Sequence, residues 1–492
     1  MSFLRSIMFV GTCSDAGKSI VNTAFCRIFK QDGYHPAPFK AQNMSLNSYS
    51  TPDGLEIGRA QAVQAEACGI APESDMNPVL LKPTNEQCSQ VVLNGKPVGN
   101  MSAKEYFMSN NKAELFNQAY AAYERLQARY SPIVLEGAGS ISEINLRERD
   151  ITNMRMALRT NAATYLVADI DRGGVFASVY GSIALLSEEE RKLIKGIIIN
   201  KFRGDISLFD EGRKIIHDLT GIPVVGVIPY FKDIYIEEED SVSLETKNTK
   251  AGSGKINVAI VLLKRLSNFT DFSTLERDER FHAYYTNNVE EIGKADIIIL
   301  PGTKNTISDL RNIRENGIAE AVIRAHKEGK KVIGICGGYQ MMGARIEDPD
   351  QIEGDMTAIP GLGILPLVTT KEPEKVTCQD RFTFCDHPET CKGYEIHMGR
   401  TTLLDGASES PLNRLHDGRT DGYFLNDKCW GTYLHGILDN DVVLNELAEG
   451  LTQATPTLFN YIDFKNQQYD KLADHVRTHV DLPYIYSTLK IK

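Results

Sequence analysis

The residues Gly11-Thr12-Cys13-Ser14-Asp15-Ala16-Gly17-Lys18-Ser19 stand between a short apolar run, Ile7 to Val10, and an amphipathic stretch, Ile20 to Lys30. A strand, a glycine-containing turn, Lys-Ser and a helix in this order are what a phosphate-binding loop requires. The turn lets successive backbone N–H groups surround phosphate oxygens. In such a loop the lysine neutralises the β and γ phosphates, and the serine hydroxyl ligates Mg²⁺.

The spacing of this loop departs from the usual G-x-x-x-x-G-K-[ST]. Thr12 stands where the first glycine belongs, and Gly11 lies one residue earlier. An incidental glycine-rich turn is the alternative interpretation. Because the surrounding strand and helix pattern favours a nucleotide site, we expect ATP and Mg²⁺ to bind here. The predicted nucleotide-binding residues of this loop are Gly11, Thr12, Asp15, Ala16, Gly17, Lys18 and Ser19.

Short apolar runs separated by amphipathic stretches recur on both sides of a polar segment. This rhythm is typical of parallel α/β sheets. It predicts an α/β domain over residues 1–232, a linker over 233–254, a second α/β domain over 255–448 and a C-terminal helical extension over 449–492. The extension is expected to be a helix pair packed on the second domain. The predicted strands are Ile7–Val10, Ile133–Leu135, Tyr165–Ala168, Gly196–Ile199, Val224–Ile228, Ile256–Leu263, Asp296–Leu300, Lys331–Ile335 and Trp430–Leu434.

The composition excludes several classes of protein. The 492 residues are 42% hydrophobic and 24% charged, which argues against a disordered or fibrous chain. A net charge of −11 argues against a nucleic-acid partner bound through a basic surface. The 9 cysteines form no disulfide pattern, and no apolar run is long enough for a membrane span. We therefore expect a cytoplasmic protein without a membrane anchor.

An acidic residue, Glu136, directly follows the predicted strand Ile133–Leu135. It precedes Gly137-Ala138-Gly139. A carboxylate at the carboxyl end of a parallel strand is well placed to hold Mg²⁺ opposite the phosphate loop, so the predicted magnesium ligands are Ser19 and Glu136. A solvated glutamate is the alternative. Asp169 and Asp171 could join this shell or cap a helix.

Two further positions concern the ligands of this domain. Asn200 ends a predicted strand and could read the edge of the nucleotide base, with a structural turn as the alternative. The loop from Pro38 to Asn47 carries one cation among amides and a hydroxyl, which suits a carboxylate substrate beside the γ-phosphate. Lys40, Gln42 and Asn43 are therefore predicted to bind substrate. An ordinary polar loop is the alternative.

The second domain contains a predicted nucleophile. The run Lys331 to Ile335 is followed by Cys336-Gly337-Gly338 and a helical stretch, which is a nucleophile elbow with cysteine in place of serine. A cysteine nucleophile needs a base, and His435 follows another predicted strand. Backbone N–H groups of Gly302 and Gly337 are the candidates for an oxyanion hole.

Other residues of the second domain are given weaker roles. His397 is a less favoured base, for which a substrate or packing role is expected. Cys378, Cys385, His387 and Cys391 are close in sequence, but their spacing matches no common zinc finger, so no metal is assigned to them.

These motifs together resemble the adenosylcobyric acid synthase family, the glutamine-hydrolysing enzymes of cobalamin biosynthesis. The N-terminal part is similar to the dethiobiotin-synthetase-like P-loop ATPases in its offset loop and in Glu136-Gly137-Ala138-Gly139. The runs Phe39 to Ser45, Glu143 to Leu146 and Gly393 to Gly399 resemble the cobyric acid branch. The C-terminal part is similar to class I glutamine amidotransferase domains, with Cys336 as nucleophile and His435 as base.

The resemblance implies an activity with two reactions. One domain would hydrolyse glutamine through a cysteine thioester, and the other would use ATP to activate carboxylates as acyl phosphates for attack by ammonia. The implied substrate is adenosylcobyrinic acid a,c-diamide, amidated at its b, d, e and g carboxylates, and cobalt belongs to that corrinoid substrate. The sequence does not indicate an oligomeric state.

Two alternatives remain at this point. One is the sibling cobyrinic acid a,c-diamide synthase, against which the Lys40 to Asn47 loop argues. The other is a ParA-like nucleotide switch, against which the Cys336 and His435 pair argues. Many class I domains also place Glu two residues after the catalytic histidine, and here Ile437 occupies that position. We therefore expect a histidine without a carboxylate partner and a slow basal glutaminase.

Overall fold

A computed structural model of the chain describes residues 3–84, 87–102, 112–237, 244, 247–452 and 460–490. The strands in this part are β1 Ile7–Gly11, β2 Ala37–Phe39, β3 Gln42–Met44, β4 Ser48–Ser50, β5 Glu56–Gly58, β6 Val79–Pro83, β7 Cys88–Leu93, β8 Lys96–Ser102, β9 Ile133–Glu136, β10 Ala163–Asp169, β11 Ile194–Phe202, β12 Val224–Pro229, β13 Ile256–Val261, β14 Phe281–Thr286, β15 Ile297–Leu300, β16 Lys331–Ile335, β17 Arg345–Glu347, β18 Ala358–Pro360, β19 Leu367–Phe384, β20 Thr390–Leu403, β21 Asn413–Leu415, β22 Thr420–Asp421, β23 Tyr423–Asn426, β24 Cys429–Thr432 and β25 Leu434–His435.

The α-helices are α1 Lys18–Gln31, α2 Arg59–Cys68, α3 Lys112–Gln127, α4 Met154–Thr160, α5 Val175–Ala184, α6 Glu188–Leu193, α7 Asp210–Thr220, α8 Val289–Lys294, α9 Thr306–Glu315, α10 Ile318–Lys327, α11 Gly337–Met342, α12 Asp441–Ala448, α13 Tyr461–Arg477 and α14 Leu482–Leu489. Within the described ranges, no helix combines the length and apolar character needed to cross a bilayer.

The first sheet is parallel and has six strands in the order β12-β11-β10-β1-β9-β2. Side chains of β1 alternate between its faces: Ile7 and Phe9 enter one buried cluster, and Met8 and Val10 enter another. A strand buried on both faces is a continuous apolar run, which is why the sequence predicted β1, β9, β10, β11 and β12; β2 instead includes Pro38 and Phe39 of the predicted substrate loop.

The C-terminal helices α13 and α14 pack on the first sheet, and the expectation that they cover the second domain is wrong. Leu472 and Val476 of α13 lie in the cluster that contains Phe9. Arg27 Nε of α1 is 2.7 Å from Asp470 Oδ1 of α13. Amphipathicity shows that a helix buries one face, but it does not show which domain receives that face.

The second sheet has six strands in the order β14-β13-β15-β16-β24-β23, parallel except for β23. The predicted strand Trp430–Leu434 is in fact two strands. β24 pairs with β16 in this sheet, whereas β25 pairs with β20 in a seven-stranded sheet that also holds β17, β18, β19, β21 and β22. The chain changes sheets just before His435.

The strands between residues 42 and 102 form two smaller sheets, which contact the second domain. β3, β6, β7 and β8 make a four-stranded sheet, and β4 pairs with β5. Lys375 of β19 is ion-paired with Glu56 of β5, and Gln379 Nε2 donates to the Ser50 carbonyl at 2.7 Å. The two predicted domains therefore meet along β19.

The predicted linker, residues 233–254, lies partly outside the described residues. At its described start, Glu237 is buried and ion-paired with Arg59 of α2. Tyr461 Oη of α13 donates to the same carboxylate at 2.7 Å. This end of the segment is therefore part of the packed structure rather than a free connection.

Candidate active sites

The phosphate-binding loop lies between β1 and α1, as its sequence pattern predicts. Lys18 Nζ donates to the carbonyl oxygens of Cys13, Ser14 and Gly139, each at 2.9 Å. Burial and the nearby Lys40 lower the pKa of Lys18 to about 8. A β-carbon on Gly17, which has φ +91°, would come within 2.1 Å of Asn200 Nδ2. Only glycine fits that turn.

Glu136 is the centre of a buried polar cluster at the carboxyl end of β9. Its Oε1 accepts hydrogen bonds from Ser19 Oγ and from Lys40 Nζ, both at 2.8 Å, and its Oε2 accepts one from Gln64 Nε2 at 2.6 Å. Burial alone would raise the pKa of Glu136, but the Lys40 ammonium and these hydrogen bonds hold the pKa below its ordinary value. The two predicted magnesium ligands, Ser19 and Glu136, are therefore adjacent.

Asn200 and the two aspartates lie next to the loop but have partners of their own. Asn200 Nδ2 donates to the Ala16 carbonyl at 2.9 Å, so it supports the loop backbone. Asp169 Oδ2 is 2.9 Å from Lys201 Nζ, and Asp171 Oδ1 is 2.6 Å from Arg203 Nε. These ion pairs satisfy both carboxylates away from Glu136.

A cavity of about 1420 Å³ opens beside the loop and reaches residues of both domains. Its wall includes the two predicted magnesium ligands, Ser19 and Glu136. It also includes the three predicted substrate-binding residues, Lys40, Gln42 and Asn43. Met44, 56% exposed, adds an apolar surface. Ten Lys and Arg side chains and seven Asp and Glu side chains line the wall, and this excess of cations suits a ligand with negative charge. These cations are Lys18, Lys40, Lys112, Arg147, Arg149, Arg155, Arg172, Lys201, Lys264 and Arg265.

Cys336 stands at the carboxyl end of β16 with φ 51° and ψ −108°. A residue other than glycine with positive φ is strained, and such strain is typical of a nucleophile elbow. A β-carbon on Gly338 would come within 1.9 Å of the Leu300 carbonyl, so the turn needs glycine at that position. Cys336 is 8% exposed, and its Sγ lies 3.7 Å from the Ile396 carbonyl oxygen.

His435 has a carboxylate partner, contrary to the expectation drawn from Ile437. Its Nδ1 is 2.7 Å from Asp271 Oδ2, and the backbone N–H of Gly436 donates to Asp271 Oδ1 at 3.0 Å. Burial alone would lower the pKa of His435, but the charge of Asp271 and the contact with Cys336 outweigh it and raise the pKa to about 10. The structure therefore brings together a Cys-His-Asp arrangement.

Asp271 was missed because it lies in a short 3-10 helix, Phe269–Phe272, with no motif around it. The available signal was positional. Asp271 follows β13, and the carboxyl ends of parallel strands β13, β15 and β16 meet at one edge of the sheet.

The two predicted oxyanion residues lie beside this arrangement. Gly302 follows β15, and a β-carbon there would come within 3.1 Å of His435 Cε1. Gly337 follows Cys336 at the start of α11. Gly302 is therefore adjacent to His435, and Gly337 is adjacent to Cys336.

A second cavity of about 50 Å³ adjoins Cys336 and His435, and both domains contribute to its wall. Lys371 Nζ donates to Thr306 Oγ1 at 2.8 Å and to Gln340 Oε1 at 2.7 Å, and it is 2.6 Å from Glu353 Oε1. Charged groups of both signs beside a nucleophile suit an amino-acid substrate. His397 also lines this cavity, and its ring is stacked on Tyr433 with a centroid distance of 3.7 Å.

The structure does not bring Cys378, Cys385, His387 and Cys391, which lie on β19, on β20 or between them, together into one cluster. Cys378 Sγ lies 2.9 Å from Asp380 Oδ2, with Glu395 nearby. His387 is instead 3.4 Å from Glu446 Oε2.

Comparison with known proteins defines the class first. The model of the CobQ/CobB/MinD/ParA nucleotide binding domain matches residues 7–244, and that of the CobB/CobQ-like glutamine amidotransferase domain matches residues 257–443. With the two sites above, this is a two-domain, ATP-dependent glutamine amidotransferase.

Proteins that are similar to this chain over nearly its full length identify its family. Cobyric acid synthase of Parabacteroides distasonis is 71% identical over 491 residues, 99% of both chains. Cobyric acid synthase of Bacteroides fragilis is 62% identical, covering 99% of this chain and 98% of its own. That of Syntrophobacter fumaroxidans is 47% identical over 98% of each. The chain belongs to the cobyric acid synthase family.

Proposed function

We propose that Cys336, His435 and Asp271 release ammonia from glutamine. His435 takes the proton of the Cys336 thiol, the sulfur attacks the amide carbon, and His435 passes that proton to the departing nitrogen, which leaves as ammonia. Water then attacks the resulting thioester, with His435 as base, and glutamate leaves. Asp271 holds the imidazole in the tautomer that this exchange requires, and the N–H groups of Gly302 and Gly337 stabilise the oxyanion.

The phosphate loop would bind ATP for the second reaction. A substrate carboxylate oxygen attacks the γ-phosphorus, ADP leaves, and an acyl phosphate forms. Ammonia then attacks the acyl carbon, a proton is lost, and phosphate leaves. Lys18 would pair with the β and γ phosphates, and Lys40 would stabilise the charge that develops during transfer.

The donor atoms at Glu136 fit Mg²⁺. A hydroxyl and a carboxylate are ligands that this ion prefers, and they lie 2.8 Å apart. Ser19 and Glu136 would hold the ion, which would neutralise phosphate charge. Glu136→Gln should therefore raise the Mg²⁺ concentration for half-maximal amidation at least about tenfold. Asp169→Asn is the matched control, because Asp169 is paired with Lys201 instead; an equal shift in both variants would remove Glu136 from this role.

The substrate would be adenosylcobyrinic acid a,c-diamide, amidated at its b, d, e and g carboxylates in cobalamin biosynthesis. The cavity of about 1420 Å³ exceeds an ordinary small-ligand site, which spans ~300–1,000 Å³. Its cations suit the carboxylates, and Met44 suits the apolar ring face. Cobalt enters only as part of the corrinoid. The free state of all nine cysteines fits a reducing compartment, and we expect the cytoplasm.

The observation that carries this proposal is the presence of both constellations in one chain, Cys336-His435-Asp271 and Ser19-Glu136-Lys40. The test is mass spectrometry of the corrinoid after incubation with ATP, Mg²⁺ and glutamine labelled with ¹⁵N in the side-chain amide. The expected result is a series of successive amidations that each carry one label. Amidation at the a and c carboxylates of the unamidated corrinoid would favour the a,c-diamide synthase instead. Absence of glutamine hydrolysis would favour the nucleotide switch.

A further inference from the structure

The turn that carries Asp271 is fastened to a segment of the ATP-binding domain. Asn47 Oδ1 accepts the backbone N–H of Phe269 at 3.1 Å. In the opposite direction, Asn268 Oδ1 accepts the backbone N–H of Ser48 at 3.1 Å. Asn47 is 1% exposed and Asn268 is 3% exposed, so water does not compete with these two bonds.

The geometry of the turn depends on the same residues. Asn268 has a left-handed backbone with φ 54° and ψ 42°, and its carbonyl accepts the N–H of Asp271 at 3.0 Å. The Phe269 N–H points out of the turn, and Asn47 is the partner that satisfies it. A buried N–H that loses its acceptor is costly, so the turn would rearrange if Asn47 lost its oxygen.

Asn47 also belongs to the wall of the large cavity. Its carbonyl accepts the backbone N–H of Arg59 at 3.1 Å, which fixes it to the start of α2. One segment, residues 45–48, therefore lies against the synthetase cavity on one side and supports the Asp271 turn on the other.

We propose that Asn47 is a positioning residue for glutamine hydrolysis, acting through Phe269 on Asp271 and so on His435. The inference rests on the proposed function, because it assigns His435 and Cys336 to that reaction. Its consequence is that the amidotransferase site is complete only while a segment of the other domain is seated against it. A displacement of about 1 Å in an orienting group is enough to cost up to two orders of magnitude in rate.

The test compares Asn47→Leu, which removes the acceptor at similar volume, with Asn47→Asp, which keeps an acceptor oxygen. The first measurement is the rate of Cys336 alkylation by iodoacetamide as a function of pH, followed by mass spectrometry of the Cys336 peptide without ATP or corrinoid. Asn47→Leu should slow alkylation at neutral pH and move the profile to higher pH, because a misplaced Asp271 supports less imidazolium beside the thiolate. Asn47→Asp should restore the profile.

The second measurement is glutaminase kinetics. Asn47→Leu should lower kcat about tenfold with a smaller change in KM, because Asn47 orients the base and does not touch glutamine. Equal defects in Asn47→Leu and Asn47→Asp would overturn the proposal, since the acceptor oxygen would then not matter.

A second pair of variants, at Asn268, tests the same contact independently in case Asn47→Leu does not fold. Asn268→Gly permits the left-handed backbone and removes the acceptor for Ser48, whereas Asn268→Asp keeps both. Asn268→Gly should slow alkylation and leave ammonium-dependent amidation unchanged. Wild-type alkylation profiles in both Asn47→Leu and Asn268→Gly would overturn the inference. Alkylation needs no corrinoid, so failure of corrinoid amidation by the wild-type enzyme would overturn the proposed function alone.

Discussion

Asp271 Oδ2 and His435 Nδ1 are 2.7 Å apart although 164 positions separate the two residues in the chain. Asp271 also accepts the Gly436 N–H, so the carboxylate holds both the ring and the backbone beside it. The carboxylate that Ile437 does not supply comes instead from the short 3-10 helix Phe269–Phe272, which follows β13. The physical reason given for a slow basal glutaminase, a histidine without a carboxylate, therefore does not hold.

Asp271→Asn should lower the rate of glutamine hydrolysis by about 100-fold or more, because it removes the charge that supports the imidazolium and reverses the preferred tautomer. Loss of that charge lowers the pKa of His435 from about 10. Glutamate release measured across pH 6 to 10 tests this. Ile437→Ala is the control: it should cost stability through packing but leave the shape of the pH profile intact. Near-wild-type turnover in Asp271→Asn would exclude a role for this carboxylate.

Cys336→Ala should abolish amidation with glutamine and retain amidation with ammonium, because the acyl phosphate forms in the other cavity. The measurement is amidated corrinoid by mass spectrometry with each nitrogen source. Circular dichroism of the variant controls for folding. If a folded variant lost both activities, the two reactions would not be separable as described.

Lys18→Ala should abolish amidation with either nitrogen source, because it removes the cation expected to pair with the β and γ phosphates. ADP formation in the presence of corrinoid and ammonium is the measurement. Lys214→Ala is the control, since Lys214 is exposed on α7 and is not among the residues that line the large cavity. Synthetase turnover at the wild-type rate in Lys18→Ala would remove the loop from the mechanism.

Glu237→Gln should destabilise the enzyme at neutral pH by about 3–5 kcal/mol, because it removes the carboxylate that is ion-paired with the buried Arg59. Burial alone would raise the pKa of Glu237, but Arg59 and Lys465 outweigh it and lower the pKa from 4.5 to about 2. A lowered carboxyl pKa contributes stability that is present above pH 4.5 and is lost as the pH falls towards 2.

The unfolding midpoint should therefore decrease less between pH 5 and pH 3 in Glu237→Gln than in the wild type. Thermal unfolding at these two pH values measures the difference. Identical slopes would mean that the Arg59 pair does not set this dependence.

Local pattern explains what the sequence could predict. Glu136 ends β9, Cys336 directly follows β16, and Lys18 follows the glycine turn after β1, so the local order of the sequence is enough to locate all three. Asp271 was not predictable in this way, because its partner lies far along the chain and its turn is set by contacts with Asn47. The 18-residue strand β19 was also missed, because its side chains alternate poorly and contacts with Glu56 and Ser50 stabilise it.

The return of α13 and α14 to the first sheet determines when that sheet can be completed during synthesis. The Arg5 N–H donates to the Leu489 carbonyl at 2.8 Å, so residues synthesised long after β1 close the structure beside it. While the ribosome adds the second half, the Phe9 face of β1 is covered by α1, through contacts such as Phe9 with Phe25, but not yet by α13 and α14. A chain cut after residue 232 would lack the apolar contacts that Leu472 and Val476 add beside α1, and residues 460–490 supplied as a second polypeptide should stabilise it.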